Sequence, residues 1–269
     1  MKFTKMHGAG NDFVVLEAGN TERDWSSLAL TMCDRHYGVG ADSLLVLLSS
    51  DIADFKMRTF DADGTEAEIC GNGIRCLALY VFEKGLINPE TDHLSLETIA
   101  GIRNIKLEST AGKLSGIQVG MGKPALSAGE IPVIVKEGDN DIVDINSMLA
   151  YPVDVNGTRL LLNLVSMGNP HAVHFSDQPL VDFPMSKVGP VVEMLDIFPN
   201  RANFEVARVL NQNEIEVRVW ERGVGETLAC GTGACAVAGA AQLNGYVEHK
   251  VNIKLLGGTL KVIWEGTGE

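Results

Sequence analysis

The sequence predicts an α/β (α+β) protein of two pseudo-symmetric domains, each a strand-rich, barrel-like shell around a central helix. Three observations lead there. Short apolar stretches recur between Gly, Asn, Asp and Pro, the pattern of many strands separated by turns. Two stretches, 74–82 and 233–243, are apolar or small on nearly every side except at Arg75 and Gln242, as expected of buried helices. One cassette also occurs twice, as Glu66-Ala67-Glu68-Ile69-Cys70-Gly71-Asn72-Gly73-Ile74-Arg75-Cys76 and as Glu226-Thr227-Leu228-Ala229-Cys230-Gly231-Thr232-Gly233-Ala234-Cys235. Each copy has a Glu four residues before a Cys, then Gly-x-Gly and a second Cys, and the lead cysteines lie 230 − 70 = 160 residues apart.

In chain order, the first half carries predicted strands at 13–16, 44–48, 56–60, 94–98, 106–108 and 117–119, with a surface helix at 25–36. The second half carries predicted strands at 131–135, 159–165, 172–175, 204–209, 214–220, 251–255 and 259–263, with a surface helix at 190–195. Residues 215–220 alternate apolar with polar or charged side chains, the period of a half-buried strand. The helix at 233–243 stops at Asn244-Gly245, a C-terminal cap. Each cassette therefore falls at the N-terminus of a central helix. The boundary is placed at 120–123, giving a first domain of 1–120, joined by the last strand in 258–269, and a second of 121–257.

Composition narrows the function. A chain of 269 residues with 45% hydrophobic content buries a large core in one or two domains. The formal net charge of −13 argues against nucleic acid, whose phosphates need clustered Lys and Arg, but suits a zwitterionic small molecule. No apolar run reaches the ~18 residues of a membrane-spanning helix, and the first residues, Met1 to His7, hold no apolar signal core. Five cysteines without an export signal are expected to stay thiols in a reducing cytoplasm.

The cassette has a chemistry of its own. The first N–H groups of a helix lack intrahelical partners, and the helix dipole puts partial positive charge there. A Cys at that point is expected to have a thiol titrating below the ordinary ~8.5. Glycines let the backbone close on a ligand, so successive N–H groups form a nest for a carboxylate. Two such thiols suit a cofactor-free racemisation, in which one removes a proton from carbon and the other returns one from the opposite face. Cys76 and Cys235 read as small core residues and Cys33 as a residue without a role. A four-Cys zinc site fits poorly, because Cys-x5-Cys and Cys-x4-Cys exceed or strain the usual ligand spacing. Gly8-Ala9-Gly10-Asn11-Asp12-Phe13 resembles half a dinucleotide fingerprint, but Phe13 occupies the third glycine position and a strand follows. A non-catalytic amino-acid-binding protein would need the glycine nests but not two thiols.

Longer motifs extend the reading. Lys5 to Phe13, the two cassettes, Met167-Gly168-Asn169-Pro170-His171 and Glu221-Arg222-Gly223-Val224-Gly225-Glu226-Thr227 together resemble the diaminopimelate epimerase family, in its motif order and over nearly the whole chain. The resemblance implies interconversion of LL- and meso-2,6-diaminopimelate without pyridoxal phosphate or metal, in lysine and peptidoglycan precursor synthesis. It also implies two pseudo-symmetric α/β domains and a homodimer. By position, Cys70 and Cys230 match the family's catalytic cysteines, with Cys230 the acceptor and Cys70 the donor in the LL-to-meso direction. Gly71-Asn72 and Gly231-Thr232 match the N–H cradles for the reacting carboxylate. Asn11, Asn169, Asn203 and Arg222 match residues that hold substrate, while His171 and Glu221 match residues that tune the thiols, Glu221 also lying against substrate. Two substrate positions depart from the pattern: Asp61 stands where the family commonly has Asn, and Ser43 where some members have Gln. An Asp accepts from an ammonium but cannot donate to a carboxylate. A racemase of another α-amino acid on the same scaffold is the alternative.

Overall fold

The computed structural model describes residues 1–110, 113–134 and 143–268. The chain divides into two compact units, Met1–Gly120 and Met121–Glu269.

In the first unit, β1 (Thr4–Gly8) and β2 (Asn11–Gly19) form a hairpin closed by Ala9 and Gly10, both at positive φ. Gly8 to Phe13, the half-fingerprint of the sequence, is thus a turn between strands. The chain passes through α1 (Trp25–Cys33) to β3 (Ser43–Leu48), which lies parallel to β2. Next, β4 (Phe55–Asp61) pairs antiparallel with β3 and with the short β5 (Glu66–Ala67). Helix α2 (Gly71–Glu83) then crosses to β6 (His93–Thr98), parallel to β4, and β7 (Gly101–Thr110) and β8 (Lys113–Val119) complete an eight-stranded sheet.

Strand alternation gives this sheet two apolar faces. Phe13, Val15, Leu45 and Leu47 share a core with Ile74, Leu77 and Val81 of α2. The intervening Val14, Leu16, Leu44 and Val46 share another with Trp25, Ala29 and Cys33 of α1. Helix α2 touches both edge strands, β1 and β8, as well as β2 to β4, so the sheet curls around it.

The second unit repeats the plan. After β9 (Val143–Ile145), β10 (Met148–Val155) and β11 (Thr158–Ser166), strand β12 (Pro170–Phe175) leads through α3 (Met185–Glu193) to a parallel β13 (Asn203–Asn211). Then β14 (Glu214–Glu221) pairs antiparallel with β13 and with the short β15 (Gly225–Thr227). Helix α4 (Gly231–Leu243) crosses to β16 (Lys250–Leu255), parallel to β14, and β17 (Gly258–Ile263) closes the sheet. Phe204 and Val206 face a core with Met185, Val188 and Val192 of α3. Helix α4, rich in Ala and Gly, lies against β11, β12, β13, β16 and β17.

Several elements differ from expectation. The last strand, expected to join the first domain, pairs along its whole length with β16, because it is the second unit's counterpart of β7 and completes the same hairpin (Glu269 lies outside the described residues). Helix α1 stops at Cys33 rather than 36, since the Asp34 carboxylate accepts the N–H groups of His36 and Tyr37 and turns the chain. Helix α3 begins five residues before Pro190, which sits inside it. The strand expected at 131–135 is a turn from Ser127 to Val133 anchored by the buried Ile131, and Val135 lies outside the described residues. β1, β9 and β10 were not expected, and Pro152 lies within β10.

Packing around Trp220 ties α3 to β14. A Cβ on Gly189 would lie 2.5 Å from the Trp220 ring. The indole N–H donates to the Glu193 carboxylate at 2.8 Å, so the ring cannot move aside without breaking that bond. Gly189→Ala is expected to destabilise the protein by about 1–3 kcal/mol through overpacking. Thermal unfolding should show the midpoint falling by several degrees.

Candidate active site

The two cassettes fold alike. Cys70 is the N-cap of α2, in extended conformation, and its Sγ accepts the N–H of Gly73 at 3.4 Å. Cys230 is the N-cap of α4, and its Sγ accepts the N–H of Gly233 at 3.4 Å. A side-chain acceptor satisfying the N3 donor is the role usually filled by Ser, Thr, Asp or Asn. Here sulfur fills it, which fixes each thiol at the positive end of a buried helix. The glycine that supplies that N–H is enforced by contact: a Cβ on Gly73 would lie 3.0 Å from Leu45, and one on Gly233 2.6 Å from Glu205 Oε1.

The cassette glutamates brace the entry to each helix. Glu66 is gripped by Arg58 through two bonds of 2.6 and 2.7 Å, and Glu226 by Arg218 through two of 2.7 and 3.1 Å. The bidentate pairs tie β4 to β5 and β14 to β15, at the same 160-residue offset as the cysteines (218 − 58 = 226 − 66 = 160).

In the first unit, the Cys70 thiol donates to Asn11 Oδ1 at 3.8 Å, and Asn72 Nδ2 donates to the same oxygen at 3.4 Å. Asn11 is oriented by Asp42, whose carboxylate accepts its Nδ2 at 2.9 Å and itself takes Arg35 at 2.7 Å. The Arg75 guanidinium donates to Asn72 Oδ1. Ser43 and Asp61 face each other at the paired ends of β3 and β4, and the Ser43 hydroxyl donates to Asp61 Oδ1 at 2.9 Å. Burial of the Asp61 carboxyl, opposed by that bond, pushes its pKa up, and the charges of Asp63 and Asp42 add to the rise.

In the second unit, four of the predicted residues, Asn169, His171, Cys230 and Thr232, are linked in one chain of contacts. Asn169 Nδ2 donates to Thr232 Oγ1 at 3.4 Å, and the same oxygen lies 3.4 Å from Cys230 Sγ. Asn169 Oδ1 faces His171 Nε2 at 3.0 Å. Glu221 lies against the Cys230 thiol and accepts the Thr227 hydroxyl. Burial pushes the Glu221 carboxyl up. Asn203 is buried, donating to Pro170 O at 3.1 Å and accepting the Arg222 N–H at 3.0 Å, so it shapes the loop that carries Arg222. The exposed Arg222 guanidinium donates to Asn200 O. Gly231 opens α4 directly after Cys230.

One electrostatic expectation fails. The helix N-terminus was expected to hold a thiol below its ordinary value, yet Cys230 is raised well above it. Burial dominates, and the nearby charges of Glu221 and Glu205 add to it. The Thr232 hydroxyl and the Gly233 N–H oppose the rise without cancelling it. Cys33 and Cys76, both buried, are pushed to about 11 by burial, as inert core thiols should be.

Two residues at the site were not anticipated. Glu205, fully buried on β13, contacts His171 Nδ1 at 2.7 Å. The sequence signal was a lone charge inside the apolar run Phe204-Glu205-Val206-Ala207. Glu193 of α3 accepts the N–H of Gly223 at 2.9 Å together with Trp220 and Arg201, and so holds the turn after Arg222. Among the described residues no group of three or more His, Cys, Asp or Glu converges as a metal site, and no helix is long and apolar enough to cross a membrane.

The family model described as Diaminopimelate epimerase matches residues 3–127 and 163–269. A diaminopimelate epimerase of Moorella thermoacetica is 46% identical over 267 residues, covering 98% of this chain and 91% of the relative. One of Methanococcus maripaludis is 43% identical over 265 residues, covering 98% and 92%. Among solved structures, a hydroxyproline epimerase from Agrobacterium vitis superposes with a TM-score of 0.68 at 15% identity, over 98% of this chain and 84% of that one. A PhzF-family phenazine biosynthesis protein of Bacillus anthracis superposes with 0.64 at 19% identity, over 97% and 90%. At such low identity these two establish the fold. The near-full-length matches at over 40% identity establish more: the chain is an isomerase and belongs to the diaminopimelate epimerase family.

Proposed function

We propose that this enzyme interconverts LL- and meso-2,6-diaminopimelate by two-base proton transfer between Cys70, Cys230 and the substrate α-carbon. The observation that carries the reading is the matched pair of thiols, each capping a buried helix through the N–H of the third residue. In the LL-to-meso direction Cys230 takes the α-proton as thiolate and Cys70 delivers one as thiol. The reverse direction exchanges the roles. The reacting α-carboxylate is held by the N–H groups of Gly71-Asn72 and Gly231-Thr232, where helix dipoles stabilise the charge that develops as the proton leaves. Asn11, Asn169 and Asn203 act on the substrate's polar groups, with Ser43 and Asp61 at its distal end. Arg222 grips the distal carboxylate, a task suited to a guanidinium fork.

Burial and the nearby carboxylates oppose the thiolate that Cys230 must form to accept the proton, and forming it is the step that His171 and Glu221 govern. The reaction needs no pyridoxal phosphate and no metal. The enzyme works in the cytoplasm as a homodimer, supplying lysine and peptidoglycan precursors.

NMR of LL-diaminopimelate with reduced, pyridoxal-phosphate-free protein in D2O tests the proposal. Deuterium at an α-carbon together with meso product is the expected result. Exchange with another amino acid but none with diaminopimelate would transfer the mechanism to a different substrate. Cys70→Ala and Cys230→Ala should each lower the epimerisation rate by at least ~10³-fold, the upper range for loss of a general acid or base. Substantial turnover in either variant would remove the two-base mechanism.

Asp61 yields a pH-dependent test of its own. Its folded-state pKa is raised, so the folded protein binds that proton more tightly than the unfolded chain. Stability is then lost as pH rises from the unfolded carboxylate range through the folded value, and the loss is complete above it. Asp61→Asn keeps the acceptor for Ser43 and removes the charge. Its melting temperature should exceed wild type at neutral pH, and the gap should close on acidification. A gap independent of pH would show that the Asp61 charge is not its cause.

A further inference from the structure

The two units differ in chemistry at a matched pair of buried positions on neighbouring strands. Register aligns them: Phe13 pairs with Ser43 and Val15 with Leu45 in β2/β3, as His171 pairs with Asn203 and Val173 with Glu205 in β12/β13. Phe13 therefore corresponds to His171 (171 − 13 = 158), Asn11 to Asn169 (169 − 11 = 158) and Leu45 to Glu205 (205 − 45 = 160). The glycine contacts agree, since Gly73 abuts Leu45 and Gly233 abuts Glu205. Where the first unit has an apolar Phe–Leu pair beneath its capping thiol, the second has a His–Glu pair, with both side chains at 0% exposure.

Stability does not explain the exchange. A buried ion pair is commonly no better than apolar residues of similar volume, and often worse. Its value must lie in what it orients. His171 Nδ1 faces the Glu205 carboxylate, which only accepts, so Nδ1 carries a proton. His171 Nε2 faces Asn169 Oδ1, which also only accepts, so Nε2 carries one too. With Oδ1 so engaged, the Asn169 amide presents its NH₂ to Thr232 Oγ1. Having accepted that bond, the Thr232 hydroxyl is free to direct its hydrogen at Cys230 Sγ. If the ring lost a proton from Nε2, the amide would turn over to donate to it. Asn169 Oδ1 would then take the Thr232 hydrogen, and the sulfur would lose a donor.

We infer that Glu205 is a positioning residue: by keeping His171 doubly protonated it sets the Asn169 amide so that Thr232 donates to Cys230, which supports the thiolate. This rests on the reading that Cys230 accepts a proton in turnover. The charged groups that face Cys230 are Glu221 from β14 and Glu205 from β13, and α4 contributes the Gly233 N–H and the Thr232 hydroxyl. Loss of the Glu205 charge by itself removes a repulsion that disfavours the thiolate, so a titration that nonetheless moves up reads the direction of the hydrogen bonds.

The experiment begins without substrate. ¹⁵N NMR of the native protein, with His171 assigned by its loss in His171→Gln, should show both ring nitrogens protonated at neutral pH. A neutral ring would overturn the inference. In Glu205→Gln the ring should lose a proton, and the Cys230 titration, followed by ¹³Cβ-labelled cysteine, should move up by about one pH unit, the scale of one hydrogen bond to a charged group. The pH–rate limb for LL-diaminopimelate should move with it, and kcat near neutrality should fall about tenfold. Unchanged titration and pH profile in a folded variant would overturn the inference. Should Glu205→Gln fail to fold, the paired exchange His171→Phe with Glu205→Leu installs the first unit's pair. It should fold at least as stably and still raise the Cys230 titration, and an unchanged titration there would be equally decisive. If native protein does not epimerise diaminopimelate, the functional reading falls while the ring and thiol measurements still decide the relay.

Discussion

Everything at this site depends on the unpaired N–H groups at the start of a buried helix. An N-terminus inside a protein must find acceptors, because orphaned donors away from water are costly. Most helices solve this with a hydroxyl or carboxylate cap. Both central helices here use a cysteine sulfur bonded to the N–H of the third helical residue. That choice places a proton-carrying group and the first backbone N–H groups of a helix at one spot. It also dictates sequence nearby, since Gly73 and Gly233 must lack side chains to let the helix start approach Leu45 and Glu205. The bidentate Arg58–Glu66 and Arg218–Glu226 pairs then fix the short strand that delivers the chain to each cap.

The repetition of this device is a consequence of repeated topology. Parallel β2/β3, antiparallel β3/β4, short β5 and parallel β4/β6 recur as β12/β13, β13/β14, β15 and β14/β16. Ser43 and Asn203 begin equivalent strands, and Asp61 and Glu221 end equivalent ones, each pair 160 residues apart. Equivalence of position does not bring equivalence of environment. Cys70 donates to the Asn11 amide oxygen, and Cys230 has two carboxylates within electrostatic reach. The duplicated scaffold thus supplies two thiols in matched geometry, each with its own side chains around it.

Much of this was legible in the sequence because it was written in local pattern. The cassette spacing, the all-apolar helices and the alternation of 215–220 each reflect a local constraint, and the helices α2 and α4 begin within three residues of expectation. Of the residues that matched family motifs, Asn11 and Asn72 are linked to Cys70, and Asn169 and Thr232 to Cys230. What stayed hidden is what only tertiary contact creates. The partner of the last strand is set by a hairpin that repeats β6/β7 rather than by its own residues. The end of α1 is set by one Asp34 carboxylate capturing two N–H groups. Glu205 was visible as a charge among apolar residues, but its partner His171 lies 34 positions away and is reached only through the parallel pairing of β12 with β13.

The failed expectation for Cys230 follows from the same competition. A helix dipole is worth about 0.3–1 kcal/mol near the surface and up to ~2 kcal/mol when partly buried, whereas desolvation of a fully buried charge moves a pKa by as much as several units. Dipole and capping N–H therefore lose to burial whenever the thiol is enclosed, and neighbouring carboxylates widen the margin. A buried thiol cannot ionise on the strength of the dipole alone. It needs donors that can be aimed at the sulfur when charge appears there, and the hydroxyl of Thr232 is placed to be such a donor, with the Asn169 amide behind it. Burial favours the protonated sulfur, and the oriented donors favour the thiolate. The enclosure that opposes ionisation is thus offset in part by polar groups held against the sulfur.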